Sequence, residues 1–212
     1  VRVDFTSKRD SIEEQDRRDF LGMLFPDFDQ SSGEFIEIRS IDAEGLSRPA
    51  FRDNPTTAHA ELESSIQRKR NAYVGIATRL SNSSGRADNL GDAHAVVVDL
   101  DWDSSNPQAH MEHVQRMLAM DETPDPTMIM SSGNGIHLWW RLEEPFDLSK
   151  VDNHAEWTAT LKGLAERFDG DPKISDPARV MRAPGTFNFP NEKKRAMGRE
   201  EVPAHVISFR GE

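Results

Sequence analysis

The sequence predicts an α+β (α/β two-lobed) protein, in which a βαββαβ unit follows an N-terminal α/β module. Three observations predict this class: a strand-like apolar run at residues 95–101, a hairpin pattern at residues 127–142, and helical apolar spacing after each of them. This order is that of a split βαβ unit, a four-stranded antiparallel sheet with two helices on one face. The 212 residues allow a module at 1–90 and the βαββαβ unit at 91–212, together one compact unit.

In the N-terminal module, the capping-box pattern from Ser11 to Glu14 predicts the start of a helix that ends before Pro26. Asn54 followed by Pro55 is typical of a helix start, because the proline stands where no amide partner is needed. The helix that starts there is predicted to end at about residue 70. The other predicted elements are strands at 35–39 and 72–78, and a loop at 81–89 that is rich in Ser, Asn and Gly.

In the βαββαβ unit, Asn106 and Pro107 repeat the helix-start pattern after the strand at 95–101. Glycine and asparagine at residues 131–135 predict a tight turn, since both accept positive φ angles. The unit is completed by strands at 127–130 and 136–142, a helix at about 153–168 and a last strand at 179–182.

Composition excludes several classes of protein. No apolar run is long enough to span a bilayer, and the chain contains no cysteine, which removes disulfides and thiolate zinc sites from consideration. The pattern fits a reducing compartment, so we expect a cytoplasmic protein without membrane contact. The net charge of −11 opposes indiscriminate binding to nucleic acid.

Basic clusters nevertheless occur, and they act at short range because salt screens distant charges within about 10 Å. Taken alone, the first and the last of them are typical of a solvated surface. The clusters are Arg68-Lys69-Arg70, the pair Arg179 and Arg182, and Lys193-Lys194-Arg195 with Arg199.

The strand at 95–101 ends in Asp99 and Asp101, which share one face because side chains alternate along a strand. Two carboxylates on a rigid strand form half of a site for Mg²⁺ or Mn²⁺, and a pair of such ions promotes in-line attack at phosphorus. The same Asp-x-Asp pattern is also common as a solvated turn or a helix cap.

Alternation at 136–142 places His137, Trp139 and Arg141 on one face, which we expect to be the open face of the sheet. A lone strand histidine is most often structural. Here it follows the turn at 131–135, whose bared amides suit a phosphate, and a histidine donor would add charge-assisted hydrogen bonds.

The segment after the second helix carries a third acid, Asp176, and two arginines. Asp176 opens the last strand of the unit, where it would complete a three-carboxylate set with Asp99 and Asp101. Arg179 and Arg182 face opposite ways on a strand, so we expect Arg182 to join the site and Arg179 to serve as a structural partner. Alone, Asp176-Pro177 is typical of a plain turn.

Together these motifs resemble the archaeo-eukaryotic primase superfamily, and more closely the primase-polymerase (prim-pol) domains of bacterial viruses, plasmids and mobile elements. The resemblance implies an RRM-like palm, metal-binding acids at Asp99, Asp101 and Asp176, and a nucleotide-binding histidine at His137 after the turn. It implies nucleotide contacts for Ser132, Gly133, Gly135, His137, Arg79 and Arg182, and a place near the site for Asn188.

The implied activity is that of a template-dependent DNA primase/polymerase that transfers nucleotides from NTP or dNTP to a 3′-hydroxyl with two Mg²⁺ or Mn²⁺ ions. DNA template and primer are the implied partners, with a replicative helicase domain or protein as a further one. Many relatives carry a zinc-binding or helical priming element outside this core. The chain lacks a thiolate zinc module, so priming by this domain alone is not implied.

Two other classes of function stay open at the level of the sequence. A metal-dependent nuclease would use the same carboxylates on water. A non-catalytic replication-initiator module would bind nucleic acid through the sheet, with Trp139 and Trp102 stacking on bases. A sugar-nucleotide transferase is a distant fourth reading.

Overall fold

The structure, a computed structural model, describes residues 5–101, 107–119 and 123–211, without the side chains of residues 5–12, 107 and 110. Its helices are α1 (Phe5–Leu24), α2 (Pro55–Gln67), α3 (Pro107–Ala119), α4 (Asn153–Phe168) and α5 (Glu192–Ala196). Its strands are β1 (Ile36–Ile41), β2 (Ser47–Arg52), β3 (Asn71–Gly75), β4 (Ala77–Arg79), β5 (Leu90–Asp101), β6 (Met128–Ser131), β7 (Gly135–Asp147), β8 (Val180–Arg182), β9 (Thr186–Asn188) and β10 (Val202–Phe209).

The strands form two sheets, which confirms the α+β, two-lobed class. The first has the order β2-β1-β3-β8, and the second has the order β4-β5-β7-β6-β10-β9. The central strands β5, β7 and β6 are antiparallel, as the βαββαβ pattern predicts. None of the helices in the described ranges is long and apolar enough to cross a membrane.

The last predicted strand takes a different partner from the expected one. Instead of joining the sheet of β5, β6 and β7, β8 pairs antiparallel with β3 of the first sheet, with Tyr73 opposite Arg182. The place beside β6 is taken by β10, which the sequence analysis did not predict. The short strand β4 shows the reverse case. It follows β3 in the chain, but it belongs to the second sheet, where it pairs with β5. Each sheet therefore contains strands from both sides of residue 90. The predicted domain boundary between residues 90 and 91 remains a prediction.

Both faces of β7 are covered, because alternate residues pack on different helices. Trp139 is fully buried and meets Phe20 of α1 edge to face at 5.1 Å between ring centroids. Trp140 packs on Phe168 of α4 at 5.3 Å. The expectation of an open face along Trp139 is therefore wrong, and a base-stacking role for this side chain is excluded. Trp102 lies outside the described residues.

Local signals predicted the helix starts with one error. The Asn54 side chain accepts a hydrogen bond from the Thr57 amide at 2.8 Å, as expected for the cap of α2. Helix α3 begins at Pro107, and its predicted cap Asn106 lies outside the described residues. Helix α1 runs from Phe5, so the predicted start at Ser11 is wrong.

Helix α1 is tied to β10 by a buried carboxylate. The β10–β6 ladder is irregular between Val206 and Ser208, and the Val206 amide donates to Asp16 Oδ2 at 2.9 Å. Burial is the largest cause that raises the pKa of Asp16 above its usual value. Asp16 therefore gives the Val206 amide a hydrogen-bond acceptor, and this costs the free energy of burying a carboxylate.

We expect Asp16→Ala to lower the free energy of unfolding by about 1–3 kcal/mol, because the Val206 amide loses its acceptor. Asp16→Asn keeps an acceptor and removes the charge, so it should be at least as stable as the parent at pH 7. A raised pKa means that the parent loses stability as pH rises through that pKa, so the Asn advantage should shrink in acid. Urea unfolding at pH 7 and pH 4 measures both effects, and an Asn variant as unstable as the Ala variant would contradict them.

Candidate active site

The β5–β7 pairing brings the first two predicted motifs together. Asp99 lies opposite His137, and Asp101 lies opposite Gly135. The distance from Asp99 Oδ1 to His137 Nε2 is 3.5 Å. The Asp99 side chain is 24% exposed and that of His137 is 4% exposed, whereas Asp101 is exposed at the strand end. The site therefore begins at solvent and deepens along the two strands.

The electrostatics of Asp99 fit a cation. Burial and, after it, the carboxylates of Asp101 and Asp171 raise the pKa of Asp99 to about 6, against the opposing charges of Arg179 and Arg182. Carboxylates that disfavour each other's charge suit a divalent cation, which prefers oxygen ligands and offsets the repulsion. In the part of the chain that the structure describes, no three acidic, histidine or cysteine side chains are grouped to hold a metal ion. Asp99 and Asp101 are thus a two-carboxylate set.

Asp176 lies outside that set in this structure. It is exposed, it follows the 3₁₀ turn at Pro172–Ser175, and its Oδ1 accepts from the Ala178 amide at 2.9 Å. This is the turn geometry that the Asp-Pro pattern also predicted.

Asp171 is an acid near Asp99 that the sequence analysis did not select. Its amide donates to the Asp99 carbonyl at 2.8 Å, and its side chain accepts from the Lys173 amide at 2.9 Å. The signal was present, because Asp171-Pro172 repeats the Asp-Pro pattern at position 176. The sequence does not show that Asp171 lies beside β5, because this depends on the path of the chain after α4.

The turn between β6 and β7 has the predicted form, but it has fewer free backbone amides for a phosphate than the sequence analysis expected. The Ser132 amide donates to the Gly135 carbonyl at 2.9 Å, and the Gly133 amide donates to Ser131 Oγ at 3.2 Å. Gly133 has a φ of +91°, in the left-handed region. Asn188 Nδ2 donates to the Ser132 carbonyl at 3.4 Å, which places Asn188 against the turn as expected. Two of the amides predicted to meet a phosphate are therefore engaged within the fold.

Gly135 marks the centre of the site. A Cβ atom there would lie 2.7 Å from the Leu100 carbonyl oxygen, 3.2 Å from Ser132 Oγ and 3.5 Å from Asp99 Oδ1. The Ser132 hydroxyl and the Asp99 carboxylate thus converge on this glycine, and no side chain fits between them.

The surroundings of His137 favour its neutral form. Complete burial lowers the pKa of His137 to about 3, and the charges of Arg182 and Arg179 act in the same direction. Its Nδ1 atom is buried and has no hydrogen-bond partner among the described residues. A neutral imidazole has one donor and one acceptor nitrogen. A hydrogen bond from its donor to an ionised phosphate is charge-assisted, so that expectation stays a prediction.

The two arginines differ in how firmly the fold holds them. Arg182 is buried, and it donates to Asn71 Oδ1 at 2.8 Å, to the Phe187 carbonyl at 3.0 Å and to the Tyr73 hydroxyl at 2.9 Å. Arg179 is half-buried and acts on the pKa of both Asp99 and His137. Arg179, which the sequence analysis left as a structural partner, is therefore the more accessible cation beside Asp99. Asn71 and Tyr73 were not predicted.

Arg79 occupies a structural position instead of a nucleotide-facing one. It is fully buried, and its guanidinium pairs with the buried Glu37 at 2.7 Å and donates to the Ala77 carbonyl at 2.8 Å. Arg39 also pairs with Glu37. Arg79 therefore joins β4 to β1 through its ion pair with Glu37. A substrate contact would require an exposed side chain, and Arg79 is buried.

Solved structures share this fold. The chain is similar to the AEP domain of the cyanophage S-2L primase-polymerase, with 17% identity, a TM-score of 0.56, and coverage of 84% of this chain and 83% of that chain. It is also similar to the catalytic domain of primase Repb′ in complex with initiator DNA, with 14% identity, a TM-score of 0.60, and coverage of 95% and 87%. The fold is thus that of prim-pol catalytic domains.

The family follows from the sequence match. Residues 58–204, more than half of the chain, match the model of the RepB DNA-primase N-terminal domain. The chain belongs to this family and is a DNA-directed nucleotidyltransferase of the prim-pol type, which confirms the resemblance seen in the motifs. No curated protein matches the sequence significantly.

We expect Glu37→Gln to lower the free energy of unfolding by about 3–5 kcal/mol, because Arg79 would keep a buried charge without a counterion. The matched control is Glu61→Gln, which breaks the more exposed pair with Arg52 and should cost at most about 1 kcal/mol. Urea unfolding measures both. Equal, small effects would contradict a structural role for Arg79.

We expect Gly135→Ala to reduce nucleotide incorporation by about 10²-fold, because the new Cβ must displace the Leu100 backbone and with it the neighbouring acids. The control is Gly163→Ala in α4, where no atom lies within 4 Å and the helix should gain about 0.5–1 kcal/mol. Steady-state incorporation rates and urea unfolding of both variants test this, and full activity in Gly135→Ala would refute the placement of the site.

Proposed function

We propose that this domain carries out template-dependent nucleotide transfer from NTP or dNTP to a 3′-hydroxyl, as a DNA primase/polymerase, at the site formed by Asp99, Asp101 and His137. One observation carries the proposal. The β5–β7 register sets the acids opposite the histidine and the turn, beside two guanidinium groups, in a chain of the RepB primase family.

Asp99 and Asp101 are the residues proposed to hold the divalent cations. The raised pKa of Asp99 supports this because its causes, burial first and neighbouring carboxylates second, are both relieved by a bound cation. Two bound Mg²⁺ or Mn²⁺ ions would supply Lewis-acid activation of the 3′-hydroxyl and neutralise charge on the triphosphate. Asp176 is proposed as the third acid from its motif, although the described side chains do not group it with the other two.

The triphosphate is proposed to lie along the Ser132–Gly135 turn. The Ser132 hydroxyl points toward the same glycine as Asp99, and Gly133 and Gly135 keep side chains away from this surface. Neutral His137 supplies a single ring donor, and Arg179 and Arg182 supply positive charge beside it. Arg182 is held in place by Asn71 and Tyr73, so its part is to orient and to set the local potential.

No protein nucleophile is needed in this scheme. Phosphoryl-type transfer depends on positioning and on stabilisation of negative charge, and rigid strands provide the first of these. The DNA template and primer are proposed as partners by analogy with the Repb′ domain, whose structure contains initiator DNA. A replicative helicase remains a prediction of the resemblance.

The test is primer extension with Mg²⁺ or Mn²⁺, a labelled primer on a longer template and all four dNTPs. We expect the parent to extend the primer and Asp99→Ala/Asp101→Ala to be at least about 10³-fold slower, because the charge stabilisation is lost. A parallel reaction on an unprimed strand with labelled NTP and dNTP detects priming. Shortened label without extension would replace the proposal with a nuclease, and binding without any product would replace it with an initiator module.

The same assay identifies the third acid. Asp176→Asn and Asp171→Asn both keep the oxygen that accepts the local amide, so the two variants remove charge and leave the turns intact. We expect Asp176→Asn to lose about 10²-fold activity or more and to keep its thermal unfolding midpoint. Loss confined to Asp171→Asn would transfer the role to Asp171.

A further inference from the structure

Two basic segments that are far apart in sequence meet around one carboxylate. Lys69 Nζ lies 3.7 Å from Glu201 Oε1, and Arg195 Nη2 lies 4.0 Å from the same oxygen. Lys69 follows α2, whereas Arg195 belongs to α5. Segments that each fit a solvated surface in isolation therefore form one cluster in the folded protein.

This cluster, called the basic patch below, is positive in a negative protein. Its six cations are all exposed, and they are Arg68, Lys69, Lys193, Lys194, Arg195 and Arg199. The carboxylates of the same segment are Glu192, Glu200 and Glu201. The whole chain carries −11, whereas these two neighbouring segments carry six cations against three carboxylates, which gives a local potential of opposite sign within the screening length.

The basic patch is connected to the active site through Asn71. The Asn71 side chain donates to the Phe189 carbonyl at 2.9 Å and accepts from the Phe189 amide at 3.0 Å, which fixes the start of the segment that carries α5. The same Oδ1 accepts from Arg182 at 2.8 Å. Through Asn71, hydrogen bonds therefore link the buried Arg182 to the segment that leads into α5.

Lys69 has a backbone conformation that disfavours a lysine. Its φ is +51°, its amide donates to the Ile66 carbonyl at 2.9 Å, and the Arg70 amide donates to the Ser65 carbonyl at 2.9 Å. This is the left-handed end of a helix, where glycine is the usual residue. A lysine there costs backbone strain, and strain that persists points to a use for the side chain.

We propose that the basic patch binds the phosphate backbone of single-stranded DNA beyond the active site, an inference that rests on the proposed function. Lys69 and Arg195 lie near one carboxylate oxygen, so cations from both segments face the same region, and the template of the proposed activity is a single strand. Exposed lysines and arginines bind phosphate oxygens, so the contact is to the backbone and is independent of sequence.

The test is equilibrium binding of a fluorescein-labelled single-stranded oligonucleotide, measured by anisotropy over a range of NaCl concentrations without nucleotide or divalent cation. We expect Lys193→Gln/Lys194→Gln/Arg199→Gln to bind less tightly and to reduce the slope of log K against log salt by about 2, since each lost phosphate contact on a single strand contributes about 0.7.

The control variant makes the same change in net charge elsewhere. Arg116→Gln/Lys150→Gln/Lys162→Gln removes three exposed cations on α3, before α4 and on α4, and its slope should equal that of the parent. Equal slopes for all three proteins, or equal losses in both triple variants, would overturn the proposal. A loss seen only with duplex DNA would overturn the choice of a single strand.

Lys69→Gly gives a second readout. Removal of the strain should raise the thermal midpoint by about 2–4 °C, while binding to the oligonucleotide weakens. A variant that is more stable and binds as tightly as the parent would remove Lys69 from the basic patch. Because these measurements require no catalysis, a parent that fails to extend primers would refute the proposed function and leave the binding result intact.

Discussion

The antiparallel register of β5 and β7 is the constraint on which the site depends. It is fixed from both faces, because Trp139 packs on α1 and Trp140 packs on α4. A slip of one residue would exchange these two side chains between faces and would separate Asp99 from His137. The hydrophobic core therefore determines the active-site geometry, and the acids themselves contribute nothing to the register.

The positive charge at the site comes from the side of the first sheet. Strand β8 belongs with β3, so Arg179 and Arg182 reach Asp99 from the lobe that carries β1 and β2. Asn71 then ties Arg182 to the segment before α5. The site lies where the two sheets meet, and neither sheet contains it alone. The exchange of β4 and β8 between sheets joins the lobes by main-chain hydrogen bonds, which hold the acids and the arginines in one frame.

Cations of this acidic protein occur both buried, with partners within the fold, and exposed at its surface. Buried cations have partners, as Arg79 has in Glu37 and Arg182 has in Asn71 and Tyr73, so the fold holds them without substrate. Burial keeps His137 neutral beside these cations. The exposed cations of the basic patch act at short range in spite of the net negative charge, because salt screens the more distant carboxylates.

The sequence by itself determined the class of fold, the central strands, the face shared by Asp99 and Asp101, the turn at Gly133 and the family, because these follow from local alternation, turn chemistry and motif order. It did not determine the partner of β8, the position of β10, the burial of Arg79 or the approach of Asp171, since each depends on which surfaces meet after the chain returns from a distance. Tertiary structure alone decided that Arg182 is held by Tyr73 and that Lys69 lies near Arg195. Charge and burial are properties of neighbours, and neighbours come from long-range packing.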